Sequence, residues 1–122
     1  MSKILVVEDD KFLANAYRVK LEKTGFEVRI AMDGEEGSVA AAEFEPDLIL
    51  LDLVMPKKDG FTVLQELKAD EKFKNIPVLV ASNLGQKEDV DRAKELGAVD
   101  FVIKTDESLS SIIEKIKKYL PK

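Results

Sequence analysis

The chain has 122 residues, 45% of them hydrophobic and 35% charged, a balance that suits one globular domain around a single core. It carries no cysteine and no histidine, which excludes disulfide frameworks, thiolate metal sites, thiol nucleophiles and Ser-His-Asp arrangements. The net charge of −5 argues against nucleic acid as a direct ligand, and no apolar run resembles a signal peptide or a membrane span, so residues 1–122 read as one cytoplasmic domain whose chemistry rests on carboxylates, lysines and hydroxyls.

Short apolar runs alternate with helical patterns along the chain. KILVV, Lys3 to Val7, reads as a buried strand. Phe12, Leu13, Ala16, Tyr17 and Leu21 recur at helical spacing until Gly25 stops them. EVRIA is a second strand, and Gly34 to Phe44 a second helix weakened by Gly37. DLILL is the third strand. Phe61, Leu64 and Leu67 then mark a helix that Asp59 is placed to cap. PVLVA is the fourth strand, and Val90, Ala93 and Leu96 form one face of the next helix before Gly97. DFVI is the fifth strand. Leu109, Ile112, Ile113, Ile116 and Leu120 line the last helix, which Pro121 ends.

Five strand-helix units with short connections imply a parallel sheet covered on both faces, and the unbroken aliphatic character of the first, third and fourth strands suits central positions in it. Ligands of such sheets collect at the carboxyl ends of the strands. Four of the five strands deliver reactive groups there. LILL runs into Asp52, VVEDD brings Glu8, Asp9 and Asp10, the fourth strand ends at Ser82, and the fifth at Lys104. Carboxylates held this close repel unless a cation intervenes, and magnesium accepts one or two carboxylates together with phosphate oxygens. Lys104 then supplies a point charge for a phosphoryl oxygen and Ser82 a hydrogen bond. Asp52, on the central strand, is placed as the nucleophile of an acyl phosphate.

These motifs resemble the receiver domain of response regulators, the phosphoacceptor module of two-component signalling, across essentially the whole chain. The resemblance rests on ILVVEDD, on LLDLVMPKKDG with Asp52, Pro56 and Gly60, on Ser82, and on Phe101 with Lys104. It implies a (βα)5 flavodoxin-like, doubly wound parallel sheet of strand order 2-1-3-4-5. It also implies that Asp9, Asp52 and the backbone carbonyl of Val54 ligate Mg2+ directly, with Glu8 acting through a water. A histidine kinase or phosphotransfer protein would donate the phosphoryl group to Asp52, and the domain would catalyse only its own phosphorylation and dephosphorylation. Ser82 and Phe101 would pass the signal to an effector protein on the face of the fourth helix, fifth strand and fifth helix.

Two positions depart from the family pattern. Thr105 follows Lys104 where receivers commonly place a cis-proline, and a cis bond without proline costs about 3–4 kcal/mol, so a trans bond is expected. Asn83 stands where a small residue is usual. Three rival functions remain in view. An aspartyl-nucleophile phosphatase would need a second acid two residues after the nucleophile, where this chain has Val54. A flavin binder would need an uncharged phosphate loop in place of EDDK. The third rival is a receiver that works without phosphorylation, as an interaction module alone.

Overall fold

The computed structural model describes residues 1–121. Five strands, β1 (Lys3–Val7), β2 (Glu27–Ala31), β3 (Leu48–Leu51), β4 (Val78–Ser82) and β5 (Asp100–Ile103), alternate with five helices, α1 (Lys11–Thr24), α2 (Gly34–Phe44), α3 (Gly60–Ala69), α4 (Lys87–Glu95) and α5 (Leu109–Tyr119). All strand pairs are parallel, in the order β2-β1-β3-β4-β5, so the fold class and strand order expected above are those observed. The strand limits match except that β3 begins after Asp47, and that β4 begins after Pro77 and includes Ser82; Leu96 and Leu120 fall at the C-caps of α4 and α5.

Capping chemistry sets where the helices start. The Asp10 carboxylate accepts from the N–H groups of Phe12 and Leu13, Asp33 from Glu36, Asp59 from Thr62, and the Ser108 hydroxyl from Ser111. Gly25 ends α1 with a φ of 103°, a left-handed conformation that favours glycine. Gly37 sits inside α2 because a Cβ there would stand 3.1 Å from a Val7 methyl, so it lets α2 lie close on β1.

Strand periodicity divides the core in two. Ile4, Val6, Leu48, Leu50, Leu79, Ala81 and Val102 point to one face, where Tyr17 and Leu21 of α1 and Ile112, Ile113 and Ile116 of α5 cover them. Leu5, Val7, Ile49, Leu51, Val78, Val80 and Phe101 point to the other, under Ala40, Leu64 and Ala93 from α2, α3 and α4. Each such aliphatic side chain contributes about 1.5–3 kcal/mol on burial, which accounts for the unbroken apolar runs in the sequence. The parity carries a consequence for the strand ends. Two residues beyond Val6, Leu50 and Val102 come Glu8, Asp52 and Lys104, so all three continue the α1/α5 face.

Candidate functional site

The sheet's hydrogen-bond ladder runs one residue past three strands and seats the site backbone. Glu8 N–H donates to the Ala31 carbonyl (2.9 Å), Asp52 N–H to Val7 (3.0 Å) and Lys104 N–H to Ser82 (3.0 Å). Each functional residue is therefore pinned to a neighbouring strand, and sheet register fixes their relative positions. Beyond Asp52 the chain turns through Pro56 into α3, and Gly60 returns to lie against it. A Cβ at Gly60 would stand 2.2 Å from the Asp52 carbonyl oxygen and 2.6 Å from the Leu53 Cα.

A cavity of about 530 Å³ opens at this edge, lined by Glu8, Asp9, Asp52, Ser82, Lys104 and Val54, with Asp10, Leu13, Asn83 and Leu84 completing the wall. Glu8, Asp52 and Ser82 are buried, at 2%, 6% and 0% exposure, whereas Asp9 is exposed. One oxygen from each of Glu8, Asp9 and Asp52 lies within 4.8 Å of the others. Lys104 reaches in from β5. Its Nζ donates to Glu8 Oε1 and stands 3.3 Å from Asp52 Oδ2. The second Glu8 oxygen accepts from the Asp10 N–H at 3.1 Å, and Asp52 Oδ1 accepts from the Val54 N–H at 3.4 Å. Burial pushes the Glu8 carboxyl up to about 7, against the downward pull of the Lys104 ammonium and the Asp10 N–H, and the Asp52 charge adds to the rise.

Three carboxylates thus share one ammonium, a set of hard oxygen donors with negative charge left over. Asp10 lies outside that cluster, and one of its carboxylate oxygens caps α1. The Ser82 hydroxyl accepts from the Leu84 N–H at 3.2 Å, leaving its own proton available to a group in the cavity. Phe101, two residues before Ile103 on β5, is 9% exposed and shares the apolar cluster with Val80 and Ala93. The aromatic ring occupies the interior. The Lys104–Thr105 bond is trans, as expected without proline.

The sequence reading missed two relationships here. Lys104 bonds Glu8 as well as approaching Asp52, and Tyr17, read only as a core position of the first helix, lies buried in the α1/α5 core with its hydroxyl unpartnered. The register parity of Glu8 and Asp52 was the available signal for the second.

The family model for the response regulator receiver domain matches residues 4–117. The chain is 42% identical to the DNA-binding dual master transcriptional regulator RpaA of Synechocystis over 85% of its length, but spans only 43% of that protein. It is 33% identical to the polar-differentiation response regulator DivK of Brucella ovis, over 96% of this chain and 94% of DivK. The Mn(2+)-bound form of response regulator Rcp1 superposes on it with a TM-score of 0.87 at 31% identity, covering 100% of both chains. With the strand order, the acid cluster and the strand-end lysine all in place, the chain belongs to the response-regulator receiver family of two-component signalling.

Proposed function

We propose that this receiver accepts a phosphoryl group on Asp52 from the phosphohistidine of a histidine kinase or phosphotransfer protein. The observation that carries this reading is a buried carboxylate at the end of the central strand, flanked by two further acids and 3.3 Å from a lysine ammonium, all facing one cavity. An Asp52 oxygen attacks phosphorus in line, the P–N bond to the donor imidazole breaks, and the new bond is an acyl phosphate. This chain has no histidine, so the donor imidazole lies outside residues 1–122.

The residues fit a divalent ion, since oxygen donors from Glu8, Asp9 and Asp52 converge with more negative charge than Lys104 balances. Asp9, Asp52 and the Val54 carbonyl would hold Mg2+, with Glu8 acting through water, and the ion would supply charge neutralisation for the phosphoryl oxygens. The manganese-bound form of Rcp1 supports a divalent site in this family. Lys104 then orients and neutralises a phosphoryl oxygen, and the Ser82 hydroxyl donates to another. The readout surface is the α4-β5-α5 face, where an effector protein docks. We assign the domain to the cytoplasm and give it no direct nucleic-acid contact, in keeping with its net charge of −5.

Incubation with acetyl phosphate or phosphoramidate and Mg2+, followed by intact mass measurement, tests the reading. One phosphoryl mass is expected on the wild type and none on Asp52→Asn. Equal labelling of the two would remove Asp52 from the role.

A further inference from the structure

Tyr17 is 1% exposed, and its hydroxyl is the one buried side-chain polar atom without a hydrogen-bond partner among the described residues. Such a group is costly to leave unpaired, and a Leu or Phe would fill a core position without that cost. Its place in the fold says where a partner lies. Helix α1 begins at the cavity edge, with Asp10 as its cap and Leu13 in the cavity wall. Tyr17 is four residues on, so it shares the face of Leu13 one turn deeper. Long side chains on a helix lean back towards its N-terminus, over the preceding turn. The phenol therefore leans up the α1/α5 face, which Val6 and Leu50 line and which Glu8 and Asp52 continue. Burial, then the Glu8 carboxylate, then Asp52 push the Tyr17 hydroxyl up, so it sits in the field of both acids and more strongly in that of Glu8.

Glu8 has both oxygens engaged in this conformation, one by Lys104 and one by the Asp10 N–H. Transfer of a phosphoryl group to Asp52 would draw the Lys104 ammonium away and leave Glu8, in a buried setting, with an open acceptor position beside the water through which it would meet Mg2+. We propose that Tyr17 is a positioning residue, whose hydroxyl donates to the Glu8 carboxylate when Lys104 leaves it for the phosphoryl group on Asp52. This rests on the phosphoacceptor reading for its trigger, but the Tyr17–Glu8 bond itself does not. The buried hydroxyl is thus a donor held in reserve, unpaired in one state so that Glu8 is paired in the other.

The chain has two tyrosines and no tryptophan, so Tyr119→Phe leaves Tyr17 as the reporting fluorophore. In that background Lys104→Gln takes the ammonium from Glu8 without any phosphodonor, and in alkaline buffer, where Glu8 is ionised without it, Tyr17 emission should be quenched by the new bond to a carboxylate. Adding Glu8→Leu should restore it. With Lys104 intact, acetyl phosphate and Mg2+ should quench Tyr17 in step with the phosphoryl mass, which guards against a Lys104 variant that fails to fold. Tyr17→Phe should slow labelling of Asp52 by about tenfold, the equivalent of one hydrogen bond to a charged group, while raising the unfolding midpoint of the unphosphorylated protein. Unchanged Tyr17 emission in both the Lys104→Gln variant and the labelled protein would overturn the proposal. Quenching in Lys104→Gln with no phosphoryl mass on the wild type would uphold the Tyr17–Glu8 bond and overturn the phosphoacceptor reading instead.

Discussion

Gly60 and Asp52 are in backbone contact: a methyl group on the first would stand 2.2 Å from the carbonyl oxygen of the second. The start of α3 is pressed onto Asp52, and the Gly60 N–H donates to the Leu53 carbonyl at 2.9 Å. The long turn after β3 is thereby folded back as a wall behind Asp52, and only a residue without a side chain permits it.

Gly60→Ala must displace backbone, and overpacking of that kind costs about 1–3 kcal/mol. Gly37→Ala meets only the Val7 methyls, at 3.1 and 3.3 Å, and gains about 1 kcal/mol of helix propensity in return. Denaturant unfolding should therefore show a clear loss for Gly60→Ala and a change near zero for Gly37→Ala. Equal losses would mean that the α3–Asp52 contact is not the tight one.

Glu8 gives a pH dependence of unusual sign. Its folded-state value lies near 7, above the ordinary 4.5, so between those limits the folded chain binds more protons than the unfolded one. The Glu8 contribution to stability is present in full below that window and is lost as pH rises through it. In metal-free buffer the wild type should lose stability relative to Glu8→Gln across this range. Asp52→Asn, by removing a neighbouring charge, should reduce the effect, and Mg2+ should offset it by favouring the ionised carboxylate. Unfolding midpoints of the three proteins against pH, with and without Mg2+, provide the check.

How far the site was legible in the sequence follows from what fixes each residue. Glu8, Asp9, Asp52, Ser82 and Lys104 converge because strand ends do, and strand ends are visible as the limits of the aliphatic runs. At the start of α1 two aspartates stand side by side, either of which can accept the first N–H groups, and the structure assigns the cap to Asp10. The bond from Lys104 to Glu8 depends on rotamers and on which partner a side chain meets first, and it leaves no trace in spacing. Tyr17 reads as an ordinary apolar position of an amphipathic helix, and only its orphaned hydroxyl marks it out.

The switch prediction sharpens once Phe101 is known to be buried already. Register pairs Val80 with Phe101 and Ser82 with Ile103, so all four lie together at the β4–β5 seam. A phosphoryl group that recruits the Ser82 hydroxyl draws on the oxygen that accepts from the Leu84 N–H, and through that bond shifts the loop leading into α4. Ser82→Ala should therefore still accept the phosphoryl mass while losing most of the amide chemical-shift changes over α4, β5 and α5. Shift changes of full size in the Ser82→Ala protein, or changes confined to α1 and α2, would contradict this route.

The lifetime of the phosphorylated form follows from what flanks the attacking water. Hydrolysis of the acyl phosphate requires a water held in line with phosphorus on the side away from Asp52, and two side chains of the cavity wall, Val54 and Leu84, border that approach. Val54 is 58% exposed, so a water has physical access, but neither side chain offers it a hydrogen bond. Orientation is among the larger contributors to such rates, and its loss slows the step even where access is open. Lys57 and Gln86 are the polar neighbours that would orient the water otherwise. Lys57 is drawn towards Asp33 at 3.6 Å, and neither residue lines the cavity. The phosphorylated protein should thus persist for long periods in Mg2+, and a Val54→Asn, Leu84→Glu double variant should lose its phosphoryl mass about tenfold faster by restoring groups that position the water. Rapid decay of the wild type, unchanged by the double substitution, would show that the water is positioned elsewhere.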